Sequence, residues 1–235
     1  MQTYKGHSDW LTGMVYIDSD RIATGSYDSS VHIWSISTGA LIRKIPTGSA
    51  VSTLGLLKDG TSLLAGCNSG DIEIYNVNTG SRVNTLKGHT KWVEDFVELN
   101  NNQLASSSWD FDIRIWDLAT GQTKFTLKGH SGYAVGLKLA APNILVSVSN
   151  DKTVRTWDVT TGRALNIFTG HSGEINWGLD ILRDKRQIVS GSIDKSIKIW
   201  DVATSQLLNT INTDVSIFSL TILNQRTSNK KSISK

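Results

Sequence analysis

Short apolar runs separated by polar turns recur along the whole chain. From Gly88 to Asp117, an apolar run (Trp92, Val93, Phe96, Val97) leads to a turn at Asn100-Asn101-Asn102. Leu104-Ala105-Ser106 follows, then a second turn around Asp110, and Ile113-Arg114-Ile115-Trp116-Asp117 closes the stretch. Such a pattern predicts three short strands with turns between them. Ile22-Ala23, Leu63-Leu64, Leu104-Ala105, Leu145-Val146 and Ile188-Val189 form continuous apolar pairs, as suits strands covered on both faces. The segments that follow alternate instead, with Val31/Ile33, Ile72/Ile74, Ile113/Ile115, Val154/Thr156 and Ile197/Ile199 on one side. Beyond each lies a turn with Thr-Gly at Thr38-Gly39, Thr79-Gly80, Thr120-Gly121 and Thr161-Gly162, and with Thr204-Ser205 in the last case. Glycine there suits the positive φ that tight turns between strands demand.

These segments belong to a repeat. Trp34, Tyr75, Trp116, Trp157 and Trp200 close five units at spacings of 41, 41, 41 and 43 residues, a period that points to a repeat array. The offsets inside the units are equally regular. Counting back from Trp116, Asp110 lies six residues away, Ser106 ten and His89 twenty-seven. The same offsets from Trp34 give Asp28, Thr24 and His7, and from Trp157 they give Asp151, Ser147 and His130. From Trp200 they give Asp194 and Ser190, with His171 two residues further back, so one loop has lengthened. Each of these four histidines follows a glycine.

Gly-His, Ser/Thr, Asp and Trp-Asp on this period resemble the WD-repeat β-propellers, and the resemblance covers nearly the whole chain. It implies an all-β fold of four-stranded blades, with a hydrogen-bonded tetrad in each of four blades. The implied tetrads are His7-Thr24-Asp28-Trp34, His89-Ser106-Asp110-Trp116, His130-Ser147-Asp151-Trp157 and His171-Ser190-Asp194-Trp200. The chemistry fits, since an indole N–H only donates, a hydroxyl does both, and an imidazole links it to a carboxylate. The second unit departs at all four positions, with Gly48, Ala65, Ser69 and Tyr75. It is expected to keep its strands through apolar packing and to lack the tetrad; Cys67, at the end of its second strand, reads as structural.

The propeller is expected over residues 1–225, with repeat units at about 6–46, 47–87, 88–128, 129–169 and 170–211. A partial sixth unit follows at 212–224, and 226–235 reads as a disordered basic tail. Thr3-Tyr4-Lys5-Gly6-His7 matches Thr85-Leu86-Lys87-Gly88-His89, so residues 2–5 are expected to form the outer strand that closes the ring. Most propellers of this family close with seven blades. Five complete repeats plus partial end strands therefore point to an incomplete or truncated ring, open to self-association through its unclosed blade flanks.

Composition narrows the function. The 24 basic and 21 acidic residues give a net charge of +3, yet Arg226, Lys230, Lys231 and Lys235 lie in the last ten residues and leave the body near neutral. That disfavours nucleic acid as a partner. No apolar run reaches membrane-spanning length. One cysteine and no secretory leader suggest a reducing cytoplasmic or nuclear setting.

Recurring His, Ser and Asp could suggest a hydrolase. Four copies of one active site, and no Gly-x-Ser-x-Gly elbow, favour a structural role and no enzyme activity. The histidines are expected in different blades and no Cys/His cluster exists, so no metal is expected; no Gly-x-x-x-x-Gly-Lys-Ser/Thr loop or other cofactor motif occurs.

The resemblance also implies which residues open onto the narrow top face: Trp10, Thr12 and Tyr27; Trp92, Glu94 and Trp109; Tyr133, Val135 and Asn150; Glu174, Asn176 and Ile193; and Val51, Thr53 and Asn68 in the second unit. Trp10, Tyr27, Trp92, Glu94, Trp109 and Tyr133 are the candidates for binding a protein or peptide partner, because binding hot spots favour Trp and Tyr. The expected function is a non-catalytic interaction scaffold. The alternative is a sensor or substrate-recognition segment of a larger signalling or ubiquitin-ligase-type protein, although phosphopeptide readers rely on arginine clusters absent from these positions. Trp177 has no assignment, because its unit holds the spacing change.

Overall fold

The computed structural model describes residues 4–182 and 186–222, and its strands follow the apolar runs unit by unit. Blade I comprises β1 (Leu11–Tyr16), β2 (Arg21–Ser26), β3 (Ser30–Ser35) and β4 (Leu41–Pro46). Blade II comprises β5 (Val51–Leu56), β6 (Ser62–Cys67), β7 (Ile72–Asn76) and β8 (Arg82–Leu86). Blade III holds β9 (Val93–Glu98), β10 (Gln103–Ser108), β11 (Ile113–Asp117) and β12 (Thr123–Leu127), and blade IV holds β13 (Ala134–Ala141), β14 (Ile144–Ser149), β15 (Val154–Asp158) and β16 (Arg163–Phe168). Blade V has β17 (Leu179–Leu182), β18 (Gln187–Gly191), β19 (Ser196–Asp201) and β20 (Leu207–Asn212). Each blade is a four-stranded antiparallel meander in sequence order. In every blade the register between the third and fourth strands shifts by a bulge just before the Trp or Tyr, as between Ile115 and Trp116.

The cores lie between blades. Four apolar clusters join I to II, II to III, III to IV and IV to V. Adjacent residues of one strand serve opposite sides: Leu63 packs toward blade I and Leu64 toward blade III. The continuous apolar pairs of the second strands are thus covered on both faces. Trp116 and Trp157 pack against the preceding blade beside Leu86 and Leu127, and Trp200 receives Phe168 edge-on at 5.9 Å.

Tyr4 meets Trp34 in the same way, edge-on at 5.6 Å, although Tyr4 and Lys5 form no strand. Of the outer strand expected at residues 2–5, the described part is therefore an extended plug over Trp34, with no sheet partner to make it a strand; Gln2 and Thr3 lie outside the described residues.

Hydroxyls and carboxylates pin neighbouring inner strands together. Thr12 donates to the carbonyl of Val51 at 2.7 Å and Ser52 to that of Val93 at 2.6 Å. Asp95 accepts the Leu137 N–H at 2.8 Å and Asp180 the Ile222 N–H at 2.7 Å. Glycine allows the closest approach: a Cβ on Gly25 would come within 2.6 Å of Val51, and one on Gly191 within 2.4 Å of Ile217. Ile217 thus sits on blade V much as Val51 sits on blade I. Ser219 makes a parallel bridge to Trp177, and the Trp177 N–H donates to the Phe218 carbonyl at 3.0 Å. The segment expected as the start of a sixth unit therefore lies along blade V; residues 223–235, including the expected basic tail, lie outside the described residues.

Among the inner strands, β1 is the most open. Leu11, Met14 and Tyr16 are 63%, 60% and 67% exposed, whereas Val51, Val93 and Ala134 at the corresponding strand starts are fully buried.

Candidate functional site

The four sets of His, Ser/Thr, Asp and Trp are each brought together. In blade III the Trp116 indole N–H donates to Ser106 Oγ at 2.8 Å, Ser106 Oγ lies 2.8 Å from His89 Nε2, and His89 Nδ1 lies 2.8 Å from Asp110 Oδ2. The indole can only donate, which makes the serine oxygen an acceptor from it and frees the serine O–H for His89 Nε2. Nδ1–H then donates to the carboxylate, so the neutral Nδ1–H tautomer satisfies every group. The same chain runs through His130, Ser147, Asp151 and Trp157 at 2.8 to 2.9 Å, and through His171, Ser190, Asp194 and Trp200 at 2.8 Å. His7, Thr24, Asp28 and Trp34 complete it in blade I at 2.7 to 2.9 Å. Each Asp Oδ2 also accepts the N–H after the histidine, as from Thr90 at 3.0 Å.

Hydrogen bonds from the blade hold the Asp28, Asp151 and Asp194 carboxyls well below the usual carboxylate range despite burial. Burial lowers the pKa of His130 and His171, against their aspartate partners. Ser106, Ser147 and Ser190 are fully buried and already engaged by tryptophan. A nucleophile needs access to substrate, and these have none.

Blade II replaces the tetrad with another buried network. Tyr75 donates its hydroxyl to Glu73 Oε2 at 2.6 Å, Arg82 reaches Glu73 Oε1 at 2.8 Å, and the Gly48 N–H points at the same carboxylate at 3.2 to 3.3 Å. Glu73 is only 3% exposed. A Cβ on Gly48 would stand 2.9 Å from Glu73 Oε1, so the glycine in place of histidine makes the room. The apolar packing expected for this blade is present on both of its sides, and a carboxylate-centred cluster joins it. Cys67 is buried, and burial pushes its thiol up to about 12, consistent with a structural residue.

In blade I the position matching Glu73 is His32, stacked on His7 at 3.7 Å. His7, Asp28 and His32 bring their ligand-type atoms within 4.8 Å of one another. Ser30 Oγ joins Asp28 at 2.6 Å and His32 Nε2 at 3.1 Å, while His32 Nδ1 is buried and has no partner among the described residues.

The top-face aromatics form one row. Trp10 stacks with Tyr27 at 6.2 Å, and Tyr27 meets Trp92 edge-on at 5.6 Å. Trp92 stacks on Trp109 at 4.4 Å, and Trp109 on Tyr133 at 4.5 Å. The row thus joins blades I, III and IV, while blade II contributes Val51, Thr53 and Asn68 at the matching positions and no aromatic. Trp10 is the most exposed member at 76%.

Two residues outside the expected set join this face. Phe111 packs on Tyr133 at 5.7 Å and lies beneath Lys91, from the left-handed conformation at φ 76°. Trp177, half exposed, donates its indole N–H to Glu94 Oε2 at 3.2 Å across 83 residues of sequence. Burial pushes the Glu94 carboxyl up to about 7, against the indoles of Trp177 and Trp109. Three expected top-face residues point elsewhere: Val51 and Val135 are buried in the cores between blades I and II and between blades IV and V, and Thr12 pins Val51.

Five antiparallel four-stranded blades joined by interblade cores and recurring His-Ser/Thr-Asp-Trp chains define a β-propeller of the repeat class. The WD domain, G-beta repeat family matches residues 1–35, 80–117, 121–158 and 162–201, and the chain belongs to that family. The unmatched stretch between the first two segments holds most of blade II. The fold is similar to the crystal structure of the RRP9 WD40 repeats, at TM-score 0.77 and 26% identity over 89% of this chain and 65% of that one. It is likewise similar to the computationally designed Ika8 protein, at TM-score 0.83 and 27% identity over 95% of this chain and 68% of that one. Among curated proteins, the chain is 26% identical over 97 residues to the ribosome biogenesis protein WDR12 homolog of Culex quinquefasciatus, which covers 40% of this chain and 23% of that protein. The chain thus spans about two thirds of the two structures, and the match less than a quarter of this curated relative.

Proposed function

We propose that this protein is a non-catalytic interaction module that binds a protein or peptide through the aromatic row of its top face. The observation that carries the reading is the unbroken contact from Trp10 through Tyr27, Trp92 and Trp109 to Tyr133, with Glu94 beside it. Aromatic side chains present large contact areas at small entropic cost, and hot spots concentrate on them. Family members of this class generally act as scaffolds, and the similarity to a protein named for ribosome biogenesis makes ribosome-assembly proteins the first partners to test and the nucleus the first compartment.

Removing a buried aromatic anchor costs at least about 2 kcal/mol of binding, roughly thirtyfold in affinity. Baits carrying Trp92→Ala/Trp109→Ala, or Trp10→Ala, are compared with wild type in pull-downs from lysate. Weakened recovery of the same partners is expected. Trp109 is sandwiched between two rings, so its removal also lowers melting modestly, and Trp10→Ala serves as the variant with an unchanged fold. Equal recovery by all baits would assign binding to another face.

The exposed flank of blade I adds a second contact surface. Leu11, Met14 and Tyr16 support self-association, and a concentration-independent monomer in ultracentrifugation would remove that part of the proposal.

A further inference from the structure

Glu94 occupies the point where blade III, blade V and the aromatic row meet. Its Oε2 accepts the Trp177 indole N–H at 3.2 Å. Among the described residues no hydrogen bond reaches Oε1, and no Lys, Arg or His nitrogen comes within 4 Å of the carboxylate. A carboxylate set among aromatic rings without a cation is costly and is held toward its neutral form, and a cation brought against it restores the charge. Beside it, the indole N–H of Trp109 is buried and has no acceptor. The face therefore holds a carboxyl group with one close indole partner and no cation, next to the buried Trp109 N–H.

We propose that this mouth receives a basic side chain, arginine or lysine, from the partner protein, with the cation on Glu94. This rests on the reading that the top face binds a protein or peptide. The rings around the carboxylate supply the rest of the recognition. Trp177 offers a half-exposed face, and a cation over an indole is attracted by the ring as well as by the carboxylate. Arginine, planar and able to stack, fits such walls better than lysine. Asp9 and Glu94 both act on the Tyr27 hydroxyl, so the Trp10–Tyr27 end of the row is acidic too. Lys91 stands over Phe111 at the opposite end and repels further positive charge there. A single basic residue flanked by neutral or acidic ones fits this arrangement, and a polybasic run does not.

The test is an array of immobilised peptides with randomised flanks and one fixed central residue: arginine, lysine, citrulline, norleucine or glutamate. Wild type is expected to bind peptides centred on arginine or lysine at least tenfold more strongly than the citrulline and norleucine sets. Glu94→Gln is expected to erase that preference, and Glu94→Asp to retain part of it, with both variants melting as wild type does. A preference that survives Glu94→Gln, equal binding of arginine and citrulline sets, or no peptide binding at all overturns the inference. Charge-independent binding that is lost in Trp92→Ala/Trp109→Ala overturns only the basic residue. Binding untouched by that double change overturns the top-face reading as well.

Discussion

Blades II and III have the same four strands and the same Thr-Gly turn, yet they solve the interior differently. Blade III runs a chain from Trp116 through Ser106 and His89 to Asp110. Blade II gathers Tyr75, Arg82 and the Gly48 N–H around Glu73. Each solution is internally complete, and neither tolerates a member of the other. A histidine at Gly48 would meet the Glu73 carboxylate, whose approach to Gly48 already leaves no room for a Cβ. The four tetrad positions changed together because a partial set leaves buried polar atoms unpaired, at about 1–3 kcal/mol each. The blades also differ at the top, where blade III places Trp92, Glu94 and Trp109 and blade II places smaller residues. Tyr27 of blade I and Trp92 of blade III meet across that gap.

The largest effect expected from this contrast is at the closing aromatic. Trp116 is fully buried, and Trp116→Ala is expected to cost about 3–5 kcal/mol by chemical denaturation, the range for a large core truncation. Tyr75→Phe keeps the ring and removes only the hydroxyl bonded to Glu73, so about 1–2 kcal/mol is expected. Similar losses for the two would mean that blade II depends on its polar cluster as heavily as blade III depends on its core.

Acid separates the blades next. Asp28, Asp151 and Asp194 have folded pKa values below their ordinary 3.8; their stabilisation is present above that value and is lost as pH falls below it. His130 and His171 are lowered by burial from 6.5, so the unfolded chain takes up protons first and stability declines as pH falls through 6.5. Both contributions have the same sign. Glu94, raised from 4.5 to about 7, acts in the opposite direction and loses its contribution as pH rises through that window. Hydrogen exchange followed from pH 7 to 4 is expected to loosen blades IV and V before blade II, which has no histidine. Uniform loosening would contradict the assignment.

The smallest effect lies in the turns. Gly80 and Gly121 take φ of 73° and 72°, and Ser205 is forced to 61° at the matching place in blade V. A left-handed conformation costs a non-glycine residue roughly 1–2 kcal/mol, partly offset by glycine's greater freedom when unfolded. Ser205→Gly is therefore expected to raise stability by up to about 1 kcal/mol, and Gly121→Ser to lower it by a similar amount, in thermal melts.

Much of this architecture is legible in the sequence because the repeat fixes both spacing and chemistry. Four residues at constant offsets name a blade, and the apolar pairs name the strands buried on both sides. What stays illegible depends on contacts between units. Glu73 lies two residues before Tyr75, where the other blades carry His32, Arg114, Arg155 and Lys198, and nothing local says that it enters the space left by Gly48. Trp177 falls in the unit whose spacing changes, and its link to Glu94 spans two blades. Val135 and Thr12 follow the top-face register but are drawn into the packing between blades. Tyr4 plugs Trp34 without a strand around it, a role foreshadowed only by the matching position of Phe168.

The central claim is that the recurring His, Ser/Thr and Asp hold their blades together. It is tested most directly by melting Asp110→Ala and Ser69→Ala side by side, one position in two blades. Asp110→Ala strips the partner from His89 Nδ1 and from the Thr90 and Asp112 N–H groups. A loss of about 2–4 kcal/mol is expected for it, and less than about 0.5 kcal/mol for Ser69→Ala, a surface change. Equal losses for the two variants, or none for Asp110→Ala, would contradict the structural role of the tetrad.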